Sequence, residues 1–289
     1  MKIADKWQDY EIIATGDGYK LERWKDVVLL RPDPQVIWKS QINMEEYPGL
    51  NAVYRRSETG GGSWHILKKM PEEWTVNYGE LTFKIKPMGF KHTGLFPEQA
   101  ANWETVSSLI KNAGRDINVL NLFAYTGGAT VACCKAGASV CHVDASKGMV
   151  ERAGENMRLS GLERASVRYI IDDCKKFVQR EIKRGRRYDA VIMDPPSYGR
   201  GPNGEMWKIE NNLFDFVELC NQVLSDNPLF FLINSYTTGL QPQVLKNILE
   251  LTVAKNRSGY VEAYEVGLPT DEGIALPCGA GGIYINDKR

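Results

Sequence analysis

From Pro97 onward, runs of four to seven apolar residues alternate with amphipathic stretches of helical period. Pro97 suits the first turn of a helix reaching Asn112, on which Trp103, Val106, Leu109 and Ile110 recur at helical spacing. The strands INVLNLF, ASVCHVD, SVRYII, YDAVIMD, LFFLIN and YVEAYEV follow, separated by helices beginning at Gly128, at Ser146, at Lys175, near Leu213 and at Gln243. Strand runs that are apolar throughout, each followed by a helix, predict a parallel sheet covered on both faces: a doubly wound α/β fold. The closing run at Ile283-Tyr284-Ile285 follows a glycine-rich stretch too short for a crossover helix, so it should enter antiparallel.

The first part of the chain has a different texture. Between Val27 and Ile85 the runs VVLLRP, VIW, SWHIL and EWTVNYGELTFKI are short and β-rich, punctuated at Pro32, Pro34, Gly60-Gly61-Gly62 and Tyr78-Gly79-Glu80. Five of the seven tryptophans (Trp7, Trp24, Trp38, Trp64, Trp74) fall there, which supports a separate architecture. The expected division is a small β-rich domain at 1–88 and an α/β domain at 89–289.

Composition narrows the function classes. The 289 residues are 43% hydrophobic and carry 36 basic against 36 acidic side chains, so no global charge marks the chain as a nucleic-acid or membrane coat. Charged residues in MKIADKWQDYEI and the lack of any long apolar run predict a cytoplasmic protein with no membrane association. The six cysteines (Cys133, Cys134, Cys141, Cys174, Cys220, Cys278) have no C-x-x-C spacing and read as reduced thiols. His65, His92 and His142 form no ligand cluster in sequence, so no metal is expected.

In an open α/β sheet, ligands bind beyond the carboxyl ends of the strands. The first strand ends in Asn121-Leu122-Phe123-Ala124-Tyr125-Thr126-Gly127-Gly128, where paired glycines allow a tight turn and close backbone approach. The second ends in Asp144, a carboxylate that can accept both hydroxyls of a ribose or serve the helix beginning at Ser146 as a cap. The third ends in Asp172-Asp173, again an adenine-directed acceptor or a cap. The fourth, Ala190-Val191-Ile192-Met193, breaks into Asp194-Pro195-Pro196-Ser197-Tyr198-Gly199. Two prolines cannot continue a strand; they fix a rigid turn whose carbonyls lack ladder partners. The G-x-G-x-x-G of dinucleotide enzymes is absent.

These motifs, in this order, resemble class I S-adenosylmethionine-dependent methyltransferases, and in particular the bacterial large-subunit ribosomal RNA methyltransferase family. The resemblance runs from about Lys91 to Asp287 and is carried by HTGLFPEQAANW, NLFAYTGGAT, VDAS and MDPPSYG. It implies a Rossmann-like seven-stranded sheet with an antiparallel last strand, S-adenosyl-L-methionine as cofactor, and ribosomal RNA as partner; a homo-oligomer stays open. It also implies cofactor contacts at Phe96, Gln99, Asn121, Phe123, Tyr125, Thr126, Gly127, Asp144, Ala145 and Asp173. Asp194, Pro195 and Pro196 are implied as the catalytic turn, between the methyl group and its acceptor. The same fold could act on a protein or small molecule, or bind a nucleotide without catalysis.

Two departures from the family bear on the acceptor. Base-amine methylating members carry an aromatic directly after Pro-Pro, where this chain has Ser197 and then Tyr198. Cytosine C5 methylation needs a thiolate, which related enzymes place after the fifth strand; here Ser235-Tyr236-Thr237 stand there, leaving Cys278 as the substitute. Between Arg164 and Arg187 nine Lys/Arg face three acids, a net of +6 that reads as a solvated helix face rather than a phosphate site, since it leads away from the ligand end. Arg200 and Lys208, in the loop GRGPNGEMWKIENN with Trp207, are better placed for a substrate; the loop reads equally as a lid or a plain connection.

Overall fold

The computed structural model describes residues 1–57, 61–89, 91–200 and 206–287, with the side chain of Arg200 not described. The chain forms two compact units. One holds Lys2–Ala101 and Val266–Cys278, the other Asn102–Glu265 and the chain from Gly279.

The first unit begins with β1 (Lys2–Ile3) and the strands β2 (Tyr10–Gly16), β3 (Tyr19–Trp24), β4 (Val27–Pro32), β5 (Leu50–Arg56) and β6 (Gly62–Ile66). The last five form a sheet in chain order, antiparallel except between β4 and β5. A separate hairpin joins β7 (Trp74–Tyr78) to β8 (Leu81–Ile85). The hairpin and the runs at 27–32 and 62–66 match the expectation, but β2 and β3 lie before Val27, where no strand was expected. Their signal is Asp17-Gly18, both at positive φ (50° and 83°), which gives the tight turn that matches strand twist. The run VIW forms no strand. Instead the carbonyls of Val36 and Trp38 accept from the amides of Gly18 and Asp17, each at 2.8 Å, so this segment braces the hairpin turn.

The core of this sheet encloses charge. Glu22 is fully buried and its carboxylate meets the Arg31 guanidinium, with Nη2 donating to Oε2 at 3.0 Å and Nε bonded to Oε1. Tyr10 adds its hydroxyl to Oε2 at 2.9 Å. A buried carboxylate is tolerated only when its lone pairs are satisfied in this way.

The second unit is the α/β part. Following α1 (Ala100–Lys111) come β9 (Asn118–Leu122), α2 (Gly128–Lys135), β10 (Ser139–Asp144), α3 (Lys147–Leu159), β11 (Val167–Ile171), α4 (Cys174–Lys183) and β12 (Ala190–Met193). A short hairpin of β13 (Tyr198–Arg200) and β14 (Met206–Lys208) leads into α5 (Ile209–Asn221), β15 (Phe230–Ser235), α6 (Pro242–Leu251), β16 (Tyr260–Pro269) and β17 (Ala275–Ile285). The strand order is β16-β17-β15-β12-β9-β10-β11. The pairs from β15 through β11 are parallel, and β17 runs antiparallel to β15. The doubly wound sheet and its antiparallel closing strand are as expected; counting β1, which pairs with Val266 and Gly267 of β16, makes eight strands rather than seven.

The closing strand is longer than the apolar run alone suggested, because the glycine-rich stretch lies within it. There the absence of side chains makes room: a Cβ on Gly281 would stand 2.6 Å from the Tyr264 ring, and one on Gly282 2.8 Å from Leu245. Leu120, Leu122, Val191, Met193, Phe231 and Ile233 of the central strands pack with Phe177, Phe216, Val217, Leu245 and Leu249 of the covering helices. Every one of these side chains is 2% exposed or less, so the strands are rigid supports for whatever stands at their ends.

Candidate active site

The order of strands reverses between β9 and β12, which lead away in opposite directions through β10 and β15. Neighbouring loops diverge at such a point and open a crevice beyond the strands' carboxyl ends. Leu122 and Met193 are register partners there, and the Asp194 amide donates to the Leu122 carbonyl at 3.4 Å. The loop 123–128 and the turn 194–197 thus start side by side.

The loop has an uncommon backbone. Phe123 and Tyr125 sit at φ 54° and 51°, and Gly127 at 82°. Left-handed geometry costs a non-glycine residue about 1–2 kcal/mol, so two such residues close together need fixed partners. Asp144 supplies one: its Oδ2 accepts from the Tyr125 amide at 2.8 Å while Oδ1 accepts from the Ser146 amide at 2.9 Å. The Phe123 amide points to the Cys174 sulfur at 3.3 Å, and the Thr126 carbonyl accepts from Asn156 Nδ2 at 2.8 Å. Gly127 is required twice over, by its φ and because a Cβ would stand 2.8 Å from that of Ala153 on α3.

Behind the loop lies a buried polar chain that the sequence did not announce. Asn121 Nδ2 donates to Thr130 Oγ1 at 2.9 Å, and that hydroxyl meets His142 Nδ1 at 2.9 Å. All three side chains are at most 3% exposed. Burial pushes His142 down to about 4, slightly opposed by the Tyr125 backbone, so the ring is neutral at physiological pH.

At the other strand ends, Ala145 is exposed next to Asp144. Asp173 caps α4, its Oδ1 accepting from the Lys176 amide at 2.8 Å. Its second oxygen meets no protein donor among the described residues. The structure therefore brings Asn121, Phe123, Tyr125, Thr126, Gly127, Asp144 and Ala145 to one loop and the strand end beside it, with Asp173 ending the neighbouring strand. Phe96 and Gln99 belong to the other unit: Gln99 is buried in the turn ahead of α1, and the Phe96 ring lies 5.5 Å from that of His92.

The turn at Asp194 is fixed from two sides. Trp207 Nε1 donates to the Pro196 carbonyl at 2.6 Å, and the Ser197 and Thr237 hydroxyls are 2.7 Å apart, tying the turn to the end of β15. The Trp207 ring lies 5.6 Å from both Phe123, at a tilt of 50°, and Phe216, edge-on at 86°. One indole thus joins the first loop to the fourth-strand turn. With the Pro196 carbonyl taken, the Pro195 carbonyl, next in the chain after Asp194, has no protein donor among the described residues. Tyr198, 48% exposed, starts the hairpin. That hairpin occupies the stretch first read as a loop; its residues 201–205 and the side chain of Arg200 lie outside the described residues, and Lys208 pairs in register with Tyr198. Thr237 and Phe216 had no sequence signal, since both act through tertiary contact.

The donor and acceptor set fits an adenosyl compound: a carboxylate at a second-strand end for ribose hydroxyls, an open carboxylate oxygen at the third for an amino group, and a glycine-bearing loop for close approach. Among the described residues no three His, Cys, Asp or Glu side chains converge as a metal site, and no helix is long and apolar enough to cross a membrane.

Comparison with known proteins bears on the same residues. A family model described as S-adenosylmethionine-dependent methyltransferase matches residues 50–218. The ribosomal RNA large subunit methyltransferase K/L of Shewanella frigidimarina is 28% identical over 224 residues, 76% of this chain and 29% of that protein. Its namesake from Methylococcus capsulatus is 30% identical over 193 residues, covering 66% and 24%. The chain spans between about a quarter and a half of the length of the curated relatives it matches. The crystal structure of the SAM-dependent methyltransferase from Agrobacterium tumefaciens superposes with a TM-score of 0.90 at 31% identity, over 96% of this chain and 91% of that one. A protein described as a putative methyltransferase complexed with SAH shares the fold at a TM-score of 0.75 and 18% identity, over 97% and 76%. Because the matched span contains the loop at 123–128, Asp144, Asp173 and the turn at Asp194, the chain belongs to the S-adenosylmethionine-dependent methyltransferases.

Proposed function

We propose that this enzyme methylates a nitrogen of a ribosomal RNA base. The observation that carries the reading is the pair of acceptors at the switch point, the Asp194 carboxylate and the unengaged Pro195 carbonyl. The printed names of the curated relatives supply the substrate class. The division into a β-rich part at 1–88 and a transferase part at 89–289, and a cytoplasmic place of action, go with this proposal.

S-adenosylmethionine supplies an already activated methyl group, so the protein's task is to position and orient. In this reading Asp144 accepts from the ribose hydroxyls, Asp173 accepts from the adenine amino group, and the loop 123–127 lines the space between them. Phe96, Gln99 and Ala145 belong to the same set. Asp194 and the Pro195 carbonyl accept the hydrogens of the target nitrogen and turn its lone pair towards the methyl. Pro195 and Pro196 keep the turn rigid, and the Trp207 bond holds the Pro196 carbonyl out of competition. Tyr198 offers an exposed ring on which a base can stack, worth about 1–3 kcal/mol. Ser235-Tyr236-Thr237, with no cysteine, stand directly at the end of β15, which speaks against attack on a pyrimidine ring from that position.

The test uses methyl-tritiated S-adenosylmethionine with ribosomal RNA, total soluble protein and small-molecule extract from cells lacking the gene. Label released by ribonuclease but not protease is expected. Label in protein or in the small-molecule fraction alone overturns the RNA reading, and absence of label everywhere with S-adenosylhomocysteine binding intact overturns catalysis.

A further inference from the structure

The basic run from Arg164 to Arg187 is largely exposed, as expected, but only part of it lies on α4. Four of its arginines, Arg168, Arg184, Arg186 and Arg187, line a cavity of about 470 Å³ together with Glu181 and Tyr188. The cavity lies at the amino-terminal ends of the strands, where Asn118 opens β9 and Ser139 opens β10. Asp144 closes β10 at its other end, about 17 Å away at the usual rise of a strand. The cavity is thus separate from the crevice described above.

Its charges are unevenly matched. Glu181 is fully buried and already satisfied: Tyr188 donates its hydroxyl to Oε2 at 2.6 Å, Arg184 Nη1 reaches Oε1 at 2.9 Å and Arg168 Nη1 reaches Oε2 at 3.2 Å. Burial would push this carboxyl up, but the Tyr188 hydroxyl and the two guanidinium groups outweigh it and hold it below the usual range. Arg168 and Arg184 therefore have a structural partner. Neither Arg186 nor Arg187 pairs with a carboxylate among the described residues; Arg187 Nη1 donates to the Arg186 carbonyl at 3.3 Å. Asp189, the next carboxylate along the chain, is engaged elsewhere, by Arg115 at 2.8 Å, by the Asn118 amide at 3.0 Å and by Ser225 at 3.0 Å. Burial raises the Cys141 thiol to about 11, so that wall of the cavity is uncharged near neutral pH.

Four guanidinium groups against one engaged carboxylate leave a concave, positively charged site in which the planar forks of Arg186 and Arg187 face no carboxylate, the geometry that matches phosphate oxygens. Its volume falls in the range of small-ligand sites. We propose that this cavity is a phosphate-binding site, distinct from the methyl-transfer centre, in which Arg186 and Arg187 grip the anion and the Glu181 cluster holds the cavity's shape. The proposal does not depend on the substrate of methyl transfer. The phosphate can come from a free ligand or from an RNA backbone, and both sources are tested.

The full chain, saturated with S-adenosylhomocysteine, is titrated with inorganic pyrophosphate by calorimetry and with a single-stranded RNA oligonucleotide by fluorescence anisotropy. Three proteins are compared: the parent, R186Q/R187Q, and the control K175Q/K183Q, which removes equal charge from α4 outside the cavity lining. Both pairs of side chains are solvent-accessible, and thermal midpoints within 2 °C of the parent, about the shift of a neutral surface change, certify the fold. At least a tenfold loss of affinity is expected in R186Q/R187Q and less than twofold in the control. Response of pyrophosphate identifies a free phosphate ligand. Response of RNA alone, with the slope of log K against log salt reduced by about 1.4, identifies a backbone contact. Failure of the parent to bind either ligand at millimolar concentration, or equal losses in both double variants, overturns the proposal. Neither result bears on methyl transfer, which is assayed separately.

Discussion

Changing Asp144 to asparagine keeps the shape of the side chain and removes one acceptor, and its cost can be worked from two hydrogen bonds. In the parent, the carboxylate takes the Tyr125 amide at 2.8 Å and the Ser146 amide at 2.9 Å, one on each oxygen. Asparagine has a single carbonyl oxygen, so its amide nitrogen must face the other N–H, donor against donor. A hydrogen bond to a charged group contributes about 1.5–3 kcal/mol and a neutral one about 0.5–1.5 kcal/mol. Losing one charged bond and weakening the other costs about 2–4 kcal/mol; Ser146 is exposed, so water recovers part of this and about 2 kcal/mol remains. At about 2–4 °C per kcal/mol, the melting temperature should fall by roughly 4–8 °C. If the same carboxylate accepts two ribose hydroxyls, each of those bonds weakens by about 1.4 kcal/mol, and affinity for S-adenosylhomocysteine should drop about 100-fold. Thermal melting and calorimetric titration of Asp144→Asn read the two effects separately. A lowered melting temperature with affinity within threefold of the parent would make Asp144 only a brace for the strained loop and would refute the ribose assignment; an unchanged melting temperature would refute the brace.

Trp207→Phe keeps the ring contacts to Phe123 and Phe216 but deletes the bond to the Pro196 carbonyl; about 1 kcal/mol predicts a three- to tenfold fall in kcat with S-adenosylhomocysteine affinity within twofold, and the opposite split would assign the indole to the cofactor. His142, held near 4 by burial, favours the folded state only while neutral, so its contribution is complete above pH 6.5 and is lost as pH falls towards 4, amounting to about 3 kcal/mol. Urea midpoints measured from pH 7.5 to 4 should decline across that window and decline less in His142→Gln; identical slopes would contradict a buried neutral ring. Burial pushes the Cys278 thiol well up, leaving no thiolate near neutral pH. Cys278→Ser should therefore retain methylation within twofold, and a tenfold loss with an unchanged melting temperature would place the sulfur in the chemistry.

The α/β part was legible because parallel strands buried on both faces spell out as uniform apolar runs, and the runs of β10, β11 and β12 end at or just before an aspartate. Asp144, Asp173 and Asp194 could be found by position alone. β2 and β3 were missed although Asp17-Gly18 marks their turn, because β3 reads YKLERW, half of it charged or polar, and its Glu22 is buried against Arg31, which stands on the next strand, β4. The glycines of β17 read as loop because their purpose lies in rings and helices elsewhere in the chain. The Trp207 bond to Pro196 and the Ser197–Thr237 pair were illegible for a related reason. They depend on a hairpin folding back and on the end of β15, forty residues from Ser197 in the second case. A motif names the turn; only the tertiary structure shows what holds it still.

The way the chain returns to its first unit has a consequence for biosynthesis. That unit is joined by segments made much later: Lys2 and Ile3 pair with Val266 and Gly267, the Asp271 amide donates to the Ile12 carbonyl, and Glu272 accepts from the Thr15 amide and hydroxyl at 2.8 Å each. During translation Ala101 emerges roughly 170 residues ahead of Glu272, an interval of about 10–30 s at ordinary elongation rates. Throughout that time β1 has no partner strand and Thr15 no carboxylate. β1 must wait until Gly267 has been made, and a nascent chain arrested before residue 266 should present it unpaired to chaperones and proteases, beside a five-stranded sheet that needs no later segment for its own ladder.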